Sequence, residues 1–532
     1  MNSFTVYGFY KKNPFLPFLL FSTFFFLFFA EILPIRYEEN DDIIMAILAS
    51  GKYTGIPDPH LVFINFFYGL FLTTLYKLNS TIEWYSILFS ILHILSLTVI
   101  SYSIFKKGVS RVVKFFFLLL IYTLEIRFIS NFQFTSTAAL CAMAGLMMLS
   151  SLSFKSRWLG MGLFVLASLI RFHLAFLVLL IYIPFFIYES LILKRLYIPL
   201  SNIYLILAVI FALAFRYADN LSYQKSKEWN EFNTYNKYRG LIQDNKNKDG
   251  VNVIDIQGVS ELDFTLFKGF LIDSKQFDLN TIKLIYKKLI AMDLGSKMNN
   301  VTKMLLAYSH LLFLIGLIGF SVLISNNSLE SKFILIFSAV IFIASISIVS
   351  LNLDFKHRIF YAICLPLFII FYSCIPYGFS KLNTFFLGTT ISAFCMYFSY
   401  FTVEINTKSR QKAILFQEQK QLINDYKDKS NKRIVPVSKL TIESVSPLGI
   451  SKEIDYSKIC FTGWLTYSPH NKKIFSSFKN FTDGSLAIFV SRHNPSLLND
   501  LRKNISENYE MNLETIIELQ SKNFQIVSFR GY

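Results

Sequence analysis

The sequence is short of charge. Asp, Glu, Lys and Arg make up 16% of its 532 residues, against about 25% in an average soluble domain. That scarcity excludes a disordered chain and an ordinary soluble enzyme. A cysteine framework is also missing. Of the five cysteines, Cys141, Cys364, Cys374 and Cys395 lie in apolar runs and only Cys460 in a polar one. No CxxC and no Cys/His cluster at zinc spacing occurs, so a disulfide scaffold and a structural zinc site are excluded. Internal repeats and low-complexity linkers are absent. The first apolar run, residues 15–35, lacks a small-x-small cleavage signal and exceeds a signal-peptide core, so it reads as a retained first span. What the chain does have is 53% hydrophobic residues, 58 of its positions Phe, and a mean hydropathy of +0.45. This is the composition of a multi-pass membrane protein. Its formal net charge of +17 fits basic cytoplasmic loops better than nucleic acid.

A helix needs about 20 apolar residues to cross the hydrocarbon core. Runs at 14–34, 84–104, 112–129, 133–151, 157–170, 173–193, 197–215, 304–324, 331–351, 357–378 and 382–404 meet that need. Residues 60–78 are ambiguous, and loop charge decides them. If they spanned the membrane, Lys106, Lys107, Arg111, Lys114, Lys194 and Arg195 would face outward. If they lie on the outer surface, "KKGVSRVVK", "KSR" at 155–157 and "KR" at 194–195 all face the cytoplasm, as the positive-inside rule requires. The second arrangement predicts about 11 spans, a cytoplasmic N-terminus behind Lys11 and Lys12, and a C-terminus outside. The expected fold is therefore an all-α polytopic domain over 1–404 with a small α/β extracytoplasmic tail over 405–532. The first loop (35–83), a hydrophilic insert (216–303), the loop "LDFKHR" (353–358) and the tail share the outer face. The insert mixes helical patterns with a strand-like "VNVIDI", and the tail opens with a polar helix-like stretch near 408–428.

Two constellations stand out. Just past the first span, Glu38, Glu39, Asn40, Asp41 and Asp42 crowd together. They read either as a solvated cap on the helix that follows or as a carboxylate acting as general base or holding a cation. Near the late outer loop, Lys356, His357 and Arg358 form a basic cluster on the side where positive charge is disfavoured. An anionic ligand such as a phosphate is one reason for it, and snorkelling to lipid headgroups is another. Arg171 with His173 ("LIRFHLAF") forms a further cationic site at an outer helix end. Arg127 resembles these but reads as a snorkelling residue. In the insert, Trp229, Tyr235, Tyr238 and Asp263 read first as amphipathic packing.

In order and kind these parts resemble the integral-membrane glycosyltransferases of the C-type fold (GT-C), the group of protein mannosyltransferases and aminoarabinose transferases. The acidic pair follows the first span. "PDPH" stands where a Pro-rich segment leads into a juxtamembrane helix. "FTSTAALCAMAGL" is similar to an Asp-Ala-leucine-rich span, with Thr135 or Ser136 in place of the Asp. "GMGLFVLASLIRFH" is similar to a Gly-rich span ending in Lys, with Arg171 in that place. "KHRIFYAICLPL" is similar to an Arg-Tyr-x-x-Pro segment, with Phe360 or Tyr361 in the aromatic position.

The resemblance covers most of 1–404 and implies an enzyme of the bacterial cytoplasmic membrane. It would move a hexosyl or pentosyl group from a polyprenyl-phosphate donor to a glycan, lipid or protein acceptor, by a single inverting displacement. It implies Asp41, or Asp42, as the base. Arg358, with Lys356 and His357, and then Arg171, would hold the donor phosphate, and Glu39, His60 and His173 are candidate substrate contacts. No cofactor is required by that chemistry. Asp41 is a tentative ligand for Mg²⁺ or Mn²⁺, since an acidic cluster without His or Cys suits those ions. A polysaccharide polymerase or ligase and a lipid-linked-sugar flippase are the competing readings. The mid-chain insert, the early acidic pair and the unlike halves disfavour them.

Overall fold

The computed structural model describes residues 13–532 apart from 151–152, 193–199, 246–247, 249–255, 257, 274, 292–293, 326–327, 354, 450–453, 473 and 476. Lys11, Lys12, Lys194, Arg195 and most of "VNVIDI" lie outside the described residues. The runs picked out by hydropathy are helices: Leu16–Ile32, Trp84–Lys106, Arg111–Ser130, Phe134–Leu149, Phe154–Ile192, Leu200–Gln224, Ser309–Ser325, Leu329–Asn352, His357–Ser373 and Lys381–Lys427. Among the described residues five helices are long and apolar enough to cross a membrane, or six if Lys297–Ala307 and Ser309–Ser325, bent by 68°, count as one span. Leu16–Ile32, Phe134–Leu149 and His357–Ser373 are apolar but shorter. Exposed apolar side chains such as Phe21, Phe24, Leu27 and Phe28 on the first helix are the mark of a surface that faces lipid rather than water.

Phe154–Ile192 is broken at one residue. Arg171 has φ −151° and ψ 89° inside it. The Phe164 and Phe176 rings lie 6.0 Å apart, although 12 residues of straight helix would separate them by about 18 Å. The helix is therefore sharply bent at Arg171, between the runs 157–170 and 173–193. The first arm packs against Phe134–Leu149 at very close range: a Cβ on Gly145 would stand 2.8 Å from the Gly160 carbonyl oxygen. Small residues let helix backbones approach this closely in membranes. The crossing sets the start of one helix, Phe134, beside the turn at Arg171.

Residues 60–78 hold the helix Phe66–Leu78, 13 residues long. That is about 20 Å, well short of a 30 Å hydrocarbon core. The Asn65 side chain caps it by accepting from the Phe67 amide at 3.0 Å.

The last apolar run does not end at 404. Lys381–Lys427 is one helix of 47 residues that leaves the apolar zone and carries the tail. The tail is a four-stranded sheet ordered β3 (Arg433–Pro436), β4 (Leu486–Ser491), β6 (Phe524–Gly531), β5 (Leu513–Gln520). β3 and β4 are parallel and the other pairs antiparallel, with the helix Ser496–Tyr509 packed on it. The insert and tail share a core: Leu266 and Leu271 are buried with Val435, Ile488, Leu501 and Val527. Asp263, which closes the capping box of Glu261–Lys268, also accepts from Asn504 at 2.6 Å.

Candidate functional site

Several helix ends meet at residues 131–134, a stretch with no charged side chain. β1 (Arg36–Tyr37) leaves the first span and pairs in parallel with β2 (Asn131–Phe132). The Glu38 amide adds a bond to the Phe132 carbonyl at 3.3 Å. Arg36 donates to Asn131 Oδ1 at 2.9 Å. This short ladder brings the acidic segment of the first loop against the start of Phe134–Leu149.

Asp41 and Asp42, one residue apart, have opposite surroundings. They open the helix Asn40–Ser50, so their side chains point about 100° apart. Asp42 is fully buried. Its Oδ1 accepts from the Tyr85 hydroxyl at 2.8 Å and from the Phe134 backbone amide at 2.9 Å. It thus anchors the N-terminus of a second helix, where a carboxyl group is favoured. Burial pushes its pKa well above the ordinary carboxylate range, against the pull of those two bonds. Asp42 is a structural anchor. Asp41 remains partly accessible, and among the described residues no hydrogen bond or ion pair holds its side chain. Burial raises its pKa. Arg358, then Arg171, pull it back down, while Glu39 and Asp244 push it up.

The cations divide in the same way. Arg358 lies 3.5 Å from Glu39 Oε1. The Gln133 amide, with its oxygen turned toward the guanidinium, accepts from Nε at 3.3 Å and Nη1 at 2.8 Å. Arg171, at the helical turn, has no hydrogen-bond or ion-pair partner among the described residues. Its guanidinium rests over Phe134 at 5.0 Å and Phe63 at 5.8 Å, held by cation–π attraction with its N–H groups uncommitted. Arg127 is not a snorkelling residue. It is buried, with Glu38 Oε1 at 3.5 Å and the Tyr361 ring at 5.8 Å. It turns inward because Glu38 offers a partner there. Glu38 is itself raised in pKa by burial, against the pull of Arg127 and Arg358.

Other candidates fall outside this group. His357 bonds the Tyr308 hydroxyl at 2.7 Å, bracing the bend between two helices, and Lys356 occupies the N-cap position of His357–Ser373. His60 bonds Asp58 at 2.7 Å and stacks on Trp229 at 4.3 Å. It joins the first loop to the insert rather than to Asp41. His173 is exposed. Tyr235 stacks on Tyr467 at 3.9 Å and Tyr238 packs edge-on to Tyr286, so the insert's aromatics do packing work.

Reading the sequence missed Gln133, Asp244 and Arg239. Asp244, at the C-terminus of Lys227–Gln243, acts electrostatically on both Asp41 and Arg171. The buried Arg239 is pulled down to about 10 by burial. Asn245 pairs with Leu353, tying the insert to the loop that carries Arg358. A buried pair was also missed: His93 and Glu125 meet at 2.7 Å inside the bundle, with Thr137 at 3.0 Å from the other ring nitrogen.

A metal does not fit Asp41. Among the described residues no three His, Cys, Asp or Glu side chains gather as a ligand set, and the strongest charge acting on Asp41 is the Arg358 guanidinium, with the Glu39 carboxylate next and Arg171 after it. A divalent cation there would face like charge.

No family model matches the chain, and no curated protein does. Among solved structures it is similar to the crystal structure of ArnT from Cupriavidus metallidurans bound to undecaprenyl phosphate. The identity is 10% and the TM-score 0.39, over 96% of this chain and 97% of that one. At that identity and score no residue role passes from one chain to the other.

Proposed function

We propose that the protein is a membrane glycosyltransferase of the GT-C type. It moves a glycosyl group from a polyprenyl-phosphate donor to an acceptor hydroxyl at the outer face of the bacterial cytoplasmic membrane. One observation carries this reading: a carboxyl group with no hydrogen-bond partner among the described residues shares an electrostatic neighbourhood with two guanidinium groups, from segments more than a hundred residues apart, at the ends of apolar helices. Such a layout suits displacement at a sugar carbon bearing a phosphate. The Asp41 carboxylate takes the acceptor hydroxyl proton. The oxygen attacks the anomeric carbon from the face opposite the phosphate. The carbon–oxygen bond to phosphate breaks with its electron pair, the configuration inverts, and the lipid phosphate leaves as an anion.

That anion needs fixed positive charge. Arg171, with uncommitted N–H groups, is the better first contact. Arg358, already engaged by Glu39 and Gln133, contributes charge and holds the Asp41 pKa down. This reverses the order in which the sequence ranks the two. The deciding experiment incubates the purified protein with a panel of polyprenyl-phosphate sugars and a panel of glycan, lipid and protein acceptors, and measures release of polyprenyl phosphate. Asp41→Asn should lower release about 100-fold or more, and Arg171→Ala should weaken donor binding with less effect on the saturated rate. Full activity in Asp41→Asn would remove the base.

The His93–Glu125 pair is the one observation that favours a transporter, since ionisable groups inside a bundle often mark a translocation path. The same assay separates the readings, because a transporter leaves the sugar–phosphate bond intact.

A further inference from the structure

Beside Arg171 the site is walled by the tail. Trp464, in the short 3-10 turn Gly463–Leu465, meets the Phe63 ring at 5.0 Å and an interplanar angle of 68°. Phe63 is one of the two rings under the Arg171 guanidinium. Trp464 is 7% exposed, yet among the described residues its indole Nε1 has no hydrogen-bond partner, and neither does the nearby buried Thr466 hydroxyl. Tryptophan is rarely buried without a partner for that N–H, and each such group in a folded protein asks for a reason.

The backbone on both sides of this contact is strained. Val62, next to Phe63, has φ +68°, and Phe270, against Gly463, has φ +66°. A β-branched or bulky residue in that region is an outlier that persists only where its surroundings impose it. Here they do. The Tyr223 hydroxyl takes the Val62 amide at 2.9 Å, and the Phe270 carbonyl takes the Gly463 amide at 3.1 Å. Tyr53 in the first loop bonds Asn471, and Tyr467 donates to the Phe277 carbonyl at 3.0 Å. First loop, insert and tail all fix the segment that carries Trp464. Strain, an unpaired polar atom and a cation meet at one place.

We propose that Trp464 is a sugar-contacting residue of the transferase site: its indole N–H donates to a hydroxyl of the donor's glycosyl ring while Arg171 holds the attached phosphate. The proposal rests on the transferase reading and deepens it, by making the C-terminal domain part of the donor site. The sugar is bonded directly to the phosphate, and the indole stands one aromatic ring away from the phosphate cation, so one donor molecule reaches both.

The test uses the full-length protein in detergent. The chain has four tryptophans, so replacing Trp84, Trp158 and Trp229 by Phe leaves Trp464 as the sole fluorophore. Its emission is followed during titration with polyprenyl-phosphate hexose, amino-sugar and pentose forms, and with bare polyprenyl phosphate. At least one sugar-bearing lipid should change the emission and the bare lipid should not. W464F, which keeps an aromatic ring but loses the N–H, should bind that lipid about three- to tenfold more weakly, the net worth of one hydrogen bond, and bind bare lipid as before. Equal affinity of W464F and the parent for every sugar-bearing lipid, or the same emission change with bare lipid, overturns the proposal. Expected binding without release of polyprenyl phosphate by the parent refutes the transferase reading and leaves the sugar contact standing. Failure of the parent to bind any of these lipids overturns both.

Discussion

Asp41 and Asp42 are neighbours in sequence with separate tasks, and three substitutions distinguish them. Asp42 is fully buried and its Oδ1 is the acceptor for the Tyr85 hydroxyl and the Phe134 amide. Asp42→Ala leaves two buried donors unsatisfied, each costing about 1–3 kcal/mol. Part of that is returned, because Oδ2 is itself buried without a partner and is removed as well. The net loss should be about 2–4 kcal/mol. Asp42→Asn keeps an oxygen at the Oδ1 position, so both bonds survive and stability should stay within about 1 kcal/mol of the parent. Asp41→Asn removes no hydrogen bond and should change stability by less than about 0.5 kcal/mol, yet it should abolish transfer. The assay pairs apparent melting temperature in detergent with release of polyprenyl phosphate. The expected stability order places the parent, Asp41→Asn and Asp42→Asn together, with Asp42→Ala clearly below. An Asp42→Ala protein as stable as the parent refutes the anchor. An Asp41→Asn protein as unstable as Asp42→Ala refutes the division of labour.

Two further predictions follow from the same geometry. Burial raises the Asp41 pKa and Arg358 is its strongest opposing influence. The base works only when ionised, so the rate should fall, as pH drops, at a higher pH than an ordinary carboxylate would give. Arg358→Ala removes the downward pull and should move that acid limb higher still; a limb that stays put or moves down would contradict the coupling. For topology, a reporter fused after residue 109 should read cytoplasmic, and fusions at 260 and 430 should read external. An external reading at 109 would make 60–78 a span.

Much of the membrane domain was legible because lipid imposes a simple rule: long apolar runs become helices. Even the break at Arg171 was legible, since a charged residue interrupts an otherwise continuous run. The demotion of 60–78 rested on loop charge, and the helix there, Phe66–Leu78, is 13 residues long. The site was legible only in part. The acidic cluster and Arg171 announce themselves as charge in a chain that has little. The meeting point does not: Asn131 to Phe134 is an uncharged stretch whose role comes from a two-residue parallel ladder and a helix N-terminus. Composition could not separate Asp41 from Asp42, because the difference lies in Tyr85 and Phe134, both distant in sequence. Arg127 was misjudged because its partner, Glu38, sits 89 residues away. The union of insert and tail was likewise invisible, since Leu266 and Val527 share a core only after the chain has folded.

The helix Lys381–Lys427 has a mechanical consequence. It runs about 70 Å along its axis, with Phe416, Gln419, Leu422 and Ile423 buried on its C-terminal half. Glu418 on the same stretch grips the β5–β6 turn through the Asn523 amide at 2.7 Å. A rod of this kind transmits rotation as well as position. One residue added near 404 would turn everything beyond it by about 100° and swing Trp464 away from Phe63. Eleven added residues, three full turns, would restore the phase but lift the outer body by about 16 Å. Phase and height cannot both be kept, so the pitch of this helix acts as the gauge that sets the tail over the donor site.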